Sequence, residues 1–175
     1  MNATSERIYS FIHVDDDADD LYLVRHVATR SGLPFKLEQF DSARRLLAYL
    51  AFPEAFAPAR KFSPPAFLLL DYHLKEMTAP EVISQVRALA RGKSLPIIIY
   101  SSSGDIGDTI RAYQAGANHF VTKSADLSRL RLILAVLHCG VVTGNDFSLL
   151  AALPEYRIAQ PNALPPTDAA QPQQS

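Results

Sequence analysis

The sequence has a single cysteine, Cys139, so no internal disulfide can form. No charged start leads into a 7–15-residue apolar core of the kind that marks a secretory signal. No apolar run approaches the roughly 20 residues of a membrane span either. Charge of one sign is also missing: 17 Lys and Arg stand against 18 Asp and Glu, the formal net charge is −1, and the basic residues are scattered. That removes the electrostatic footprint of a nucleic-acid or membrane-surface binder. These absences describe a soluble, cytoplasmic protein. At 175 residues, 48% of them hydrophobic, the chain can bury one good core but hardly two.

What the chain does have is a short apolar run ending in a carboxylate, Ala-Phe-Leu-Leu-Leu-Asp from Ala66 to Asp71. Its length suits a strand, and its unbroken apolarity suits a parallel sheet covered on both faces. Ile8 to Val14 reads as an earlier strand that runs into Asp15, Asp16 and Asp17, and a helix follows to about Thr29. Phe35 to Phe40 is a second strand, and Ser42 opens a helix lasting to Pro53. Phe52 to Pro65, with four prolines, reads as a long surface connection. Helices are expected over Pro80 to Arg91, Gly104 to Ala115 and Leu127 to His138, alternating with strands at Pro96 to Ser101 and Asn118 to Thr122. Five strands alternating with five helices make an α/β, doubly wound parallel sheet. The expected division is a domain over residues 1–139, then an extension over 140–175 that is partly apolar and finally disordered.

In such a sheet the carboxyl ends of the strands share one edge. Asp15, Asp16, Asp71, Ser101 and Lys123 therefore become neighbours. Three facing carboxylates repel unless a hard divalent cation sits among them, and Mg²⁺ suits an all-oxygen set. A cation beside a carboxylate, a hydroxyl and an ammonium is equipment for phosphoryl transfer. A carboxylate nucleophile gives an acyl phosphate, with Lys123 and the Ser101 hydroxyl on its oxygens.

With these residues placed, the sequence resembles the receiver domain of two-component response regulators over about residues 7 to 138, a flavodoxin-like receiver fold. The Asp15-Asp16 pair, Leu-Leu-Leu-Asp ending at Asp71, Pro-Ile-Ile-Ile-Tyr-Ser ending at Ser101 and Gly-Ala-Asn-His-Phe-Val-Thr-Lys ending at Lys123 carry the likeness. The resemblance implies that Asp71 takes a phosphoryl group from a sensor histidine kinase. It implies Mg²⁺ held by Asp16, Asp71, the backbone carbonyl of His73 and, through water, Asp15. It also implies Ser101 and Phe120 as a switch pair that repacks the face made by the fourth helix, fifth strand and fifth helix. Such a protein turns over no external substrate and catalyses only its own phosphorylation and dephosphorylation. The Asp-rich start, the long connection before the third strand and the Thr-Lys-Ser ending look like single-domain receivers that partner phytochrome-type kinases.

Ser124 follows Lys123 where the family has a cis proline, so the bond is either trans or a cis form costing about 3 kcal/mol. Lys75, Ala79 and Ser102 also depart from the family pattern. Two other readings compete. A haloacid-dehalogenase-like phosphatase would use Asp15 as nucleophile with Asp17, and Gly144-Asn145-Asp146 as its last motif; a receiver fold used only for docking would never be phosphorylated. His13, His26, His119 and His138 lack metal-binding spacing and read as packing or surface residues. Tyr113, Phe147, Leu149 and Leu150 are expected to form a homodimer contact.

Overall fold

The computed structural model describes residues 8–56 and 64–158. Its elements are β1 (Tyr9–Val14), α1 (Ala18–Arg30), β2 (Phe35–Phe40), α2 (Ala43–Ala51) and a short α3 (Pro53–Phe56). There follow β3 (Phe67–Leu70), α4 (Ala79–Ala88), β4 (Ile97–Ser101), α5 (Ile106–Ala115), β5 (His119–Thr122) and α6 (Leu127–Val142). A 3-10 turn at Ser148–Ala152 precedes β6 (Tyr156–Arg157). No helix among the described residues is long and apolar enough to cross a membrane.

One sheet carries all six strands in the order β2-β1-β3-β4-β5-β6. The first five are parallel, and β6 alone runs antiparallel to its neighbour. The chain passes from β1 outward to β2 and then back to β3 on the other side of β1. That reversal opens a crevice at the carboxyl ends of β1 and β3.

β3 fixes the position of Asp71. Its four residues are fully buried, with Phe67 and Leu69 in one core and Leu68 and Leu70 in the other. Each such side chain is worth roughly 1.5–3 kcal/mol relative to exposure, so a one-residue slip that swapped the faces would exchange well-packed partners for badly packed ones. α1 and α6 cover the Phe67 side, and α2, α4 and α5 cover the Leu68 side.

Helix starts follow their local chemistry. The Asp17 carboxylate accepts from the N–H groups of Asp19 and Asp20 at 2.8 and 3.4 Å and caps α1. Thr78 donates its N–H and hydroxyl to Glu81 ahead of α4, each at 2.8 Å. Asp105 accepts from Asp108 N–H at 3.0 Å, so α5 begins at Ile106 and Gly104 lies outside it. Ser42 stands at the N-cap of α2 but makes no side-chain cap bond.

Three expectations need correction or fall outside the description. The connection before β3 contains α3, and residues 57–63 lie outside the described residues, as do residues 159–175 where disorder was expected. α6 runs past His138 and through the expected boundary at residue 139. Gly140 allows what comes next: a Cβ there would sit 2.5 Å from Phe147 Cδ1 and 2.9 Å from the Asp146 carbonyl oxygen. Gly144 and Asn145, both with positive φ, reverse the chain. Phe147, Leu150 and Leu153 then join the core on the face that α1 and α6 cover.

β6 completes the return. Thr122 N–H donates to the Glu155 carbonyl at 2.8 Å, Arg129 reaches the Glu155 carboxylate at 2.7 and 3.2 Å, and the Tyr113 hydroxyl donates to the Arg157 carbonyl at 2.9 Å. Of the four residues expected at a subunit contact, Phe147 and Leu150 are placed elsewhere. Phe147 and Leu150 are buried in their own chain and Tyr113 is already engaged, which leaves Leu149 exposed.

Candidate functional site

Five of the predicted site residues sit at strand ends, while Phe120 lies within β5 and His73 in the loop after β3. Asp15 and Asp16 follow β1, Asp71 follows β3, Ser101 closes β4 and Lys123 follows β5. Backbone bonds fix their neighbourhood: Asp71 N–H donates to Val14 O at 2.9 Å, and Lys123 N–H donates to Ser101 O at 2.8 Å.

Lys123 is the hub. Its Nζ lies 2.7 Å from Asp15 Oδ2, 2.7 Å from Asp20 Oδ2 and 2.8 Å from Asp71 Oδ1. An ammonium has three N–H donors, and each here has its own carboxylate. Burial alone would lower the Lys123 pKa, but the three carboxylates outweigh it and hold the pKa well above the usual lysine range. Burial alone would raise Asp15, and the neighbouring His13 ring, the Lys123 ammonium and the Asp17 N–H bring it below the usual carboxylate range. The Tyr100 ring lies 5.9 Å from the ammonium, and its buried hydroxyl is pushed up to about 12.

The other Asp71 oxygen, Oδ2, accepts from His73 N–H at 2.7 Å. Asp16 Oδ2 accepts from Lys75 N–H at 3.1 Å, with Lys75 Nζ at 3.4 Å. Asp15, Asp16 and Asp71 each present an oxygen within 4.8 Å of the others. Around the pocket, the carboxylates of Asp15, Asp16, Asp20 and Asp71 face the ammoniums of Lys75 and Lys123. Two negative charges remain, and the donors are hard oxygens, so the residues present fit a divalent ion such as Mg²⁺.

Ser101 is fully buried, and its Oγ accepts from Ser103 N–H at 3.1 Å. Phe120 is fully buried on the α2, α4 and α5 side, its ring centroid 6.2 Å from that of Tyr72. The contact His73 makes with the cluster is its N–H, while its exposed ring lies 3.7 Å from Asp108 Oδ2. No cis peptide bond occurs among the described residues, so Lys123-Ser124 is trans.

Two participants were missed in the sequence. Asp20 had a signal in its spacing, four residues after Asp16, which brings it back over the pocket. Asp108 accepts from Ser103 Oγ at 2.9 Å and from Arg111 Nη2 at 2.6 Å, tying the β4–α5 loop to α5. The phosphatase reading loses its residues. Asp17 is spent on capping α1, and Asp146 accepts from Ser148 N–H at 3.0 Å in the turn beyond α6.

Comparison with known proteins agrees with this geometry. The chain is 31% identical over 123 residues to the two-component response regulator ORR1 of Oryza sativa subsp. japonica. That match covers 67% of this chain and 52% of the rice protein, so the chain spans about half the length of that relative. The fold is similar to that of the phosphorylated cyanobacterial phytochrome response regulator RcpA, with a TM-score of 0.67 at 24% identity, covering 78% of this chain and 96% of that one. The bacteriophytochrome response regulator RtBRR gives a TM-score of 0.61 at 28% identity, with 77% and 79% covered. The response regulator receiver domain family matches residues 11–135, and the chain belongs to that family.

Proposed function

We propose that Asp71 accepts a phosphoryl group from a phosphohistidine of a sensor kinase, and that the modified chain then signals through protein contacts. The P–N bond of the donor breaks as an O–P bond forms on an Asp71 oxygen, and the leaving imidazole takes its proton from solvent. Lys123 and the Ser101 hydroxyl would bind phosphoryl oxygens as the charge moves onto Asp71. Mg²⁺, held by Asp15, Asp16, Asp71 and the His73 carbonyl, would supply the remaining neutralisation when bound. The observation that carries this reading is the Lys123 ammonium placed 2.8 Å from Asp71 beside two further aspartates at the same sheet edge.

Ser101 and Phe120 serve as the switch pair in this reading. Support comes from their full burial on adjoining strands and from α5, whose first turn contains Gly107 and is intrinsically weak. The likeness to the bacteriophytochrome response regulator RtBRR supports a phytochrome-type kinase as the donor.

The test is to incubate the chain with Mg²⁺ and acetyl phosphate and map the acyl phosphate. Label on Asp71, lost in Asp71→Asn while the circular dichroism spectrum is kept, is the expected result. Undiminished labelling of Asp71→Asn would refute the assignment, and a chain that never labels would favour the docking-only receiver.

A further inference from the structure

His13 is fully buried on β1, two residues before Asp15, and takes no part in the chemistry above. Its ring is gripped on one side. Gln39 Nε2 lies 3.1 Å from His13 Nδ1, and the same nitrogen donates to the Leu21 carbonyl at 2.8 Å. Gln39 Oε1 accepts from Arg25 Nε at 2.7 Å. A guanidinium only donates and a carbonyl only accepts, so the Gln39 amide has one orientation, and its second N–H faces Nδ1. Nδ1 is therefore the acceptor and Nε2 carries the ring proton.

That Nε2–H has no hydrogen-bond partner. It lies 3.7 Å from Asp15 Oδ2, the oxygen that Lys123 also holds. The separation is too long for a hydrogen bond, and a movement of roughly 0.8 Å would close it. A buried donor lacking an acceptor is unfavourable, which gives Asp15 a standing pull toward the ring.

We propose that His13 is a positioning residue for the acidic pocket: its Nε2–H anchors the Asp15 carboxylate and sets the direction in which Asp15 faces a divalent cation. The inference rests on the cation-binding reading of Asp15, Asp16 and Asp71. The chain Arg25–Gln39–His13–Asp15 then acts as a support running from the surface of α1 through β2 and β1 to the pocket. Supports of this kind fix ligand orientation, and losing one typically weakens metal binding 10–100-fold.

The test uses the full chain and Mn²⁺, with free ion followed by electron paramagnetic resonance and the His13 tautomer read by long-range ¹H–¹⁵N NMR. The expected spectrum has the proton on Nε2. His13→Leu, which removes the unsatisfied Nε2–H and also the acceptor of the Gln39 N–H, should weaken Mn²⁺ binding about 10-fold. His13→Gln, whose amide N–H can reach toward Asp15, should recover most of the affinity; a purely structural histidine would not show that rescue. A proton on Nδ1, or wild-type affinity in His13→Leu, would overturn the inference.

Should His13→Leu not fold, the tautomer and the His13→Gln affinity decide. If the wild type binds no Mn²⁺, the cation reading fails by itself. The anchoring of Asp15 is then judged by the Nε2–H resonance, which must shift in Asp15→Asn.

Discussion

Lys123 holds three carboxylates with three N–H groups, and removing it is not equivalent to removing one of them. Lys123→Met leaves Asp15 and Asp71 buried without a counter-charge, which should cost about 3 kcal/mol in urea unfolding without divalent cations, and added Mg²⁺ should restore part of it. Asp20→Asn should change stability by less than about 1 kcal/mol, because Asp20 is partly exposed and its loss relieves crowding of like charges. Equal losses in the two variants would contradict this account of the hub. At this scale the sequence was most informative where a residue's position follows from a strand end. Asp15, Asp16, Asp71, Ser101 and Lys123 were all legible from that rule. Asp20 was legible only through its spacing from Asp16, and the His13 support was not, since it depends on which way a strand face points once the sheet has formed.

The return segment is the element the sequence concealed most. β2 was legible to the residue because Phe35 to Phe40 is bounded by Pro34 on one side and by Asp41-Ser42 on the other. β6 has two residues and the turn before it five, too few to show any period. The segment is held partly through His119, whose Nδ1 lies 3.1 Å from the Tyr156 hydroxyl and whose ring packs near Phe147. Burial pushes the His119 imidazole below its usual range, so the folded chain favours the neutral ring. The stability this confers is fully present above pH 6.5, the unfolded value, and is lost as pH falls through the lower folded value. The thermal midpoint of the wild type should therefore drop more steeply below pH 6.5 than that of His119→Asn. Parallel profiles would remove His119 from the account.

For the whole molecule, residues 140–158 belong to the folded unit, although the sequence suggested a boundary at 139. A chain ending at Cys139 would lose Phe147, Leu150 and Leu153 from one core and leave the outer edge of β5 unpaired. It should unfold at lower urea concentration, and light scattering should show association that grows with concentration. A truncated chain as stable and monodisperse as the full one would mean the return segment contributes nothing to the fold.

The covering of β5 also limits how copies of the chain could join. Among the described residues the margins of the sheet are β2, where Lys36 and Glu38 form an ion pair at 2.6 Å, and the two-residue β6. β2 offers six residues and β6 only two, so an object with one long side pairs best once, with a twin turned about a two-fold axis. Two such sides would permit a fibre. By folding β6 against β5, the chain replaces a four-residue margin with a two-residue one and leaves open-ended growth through its sheet little backbone to grip.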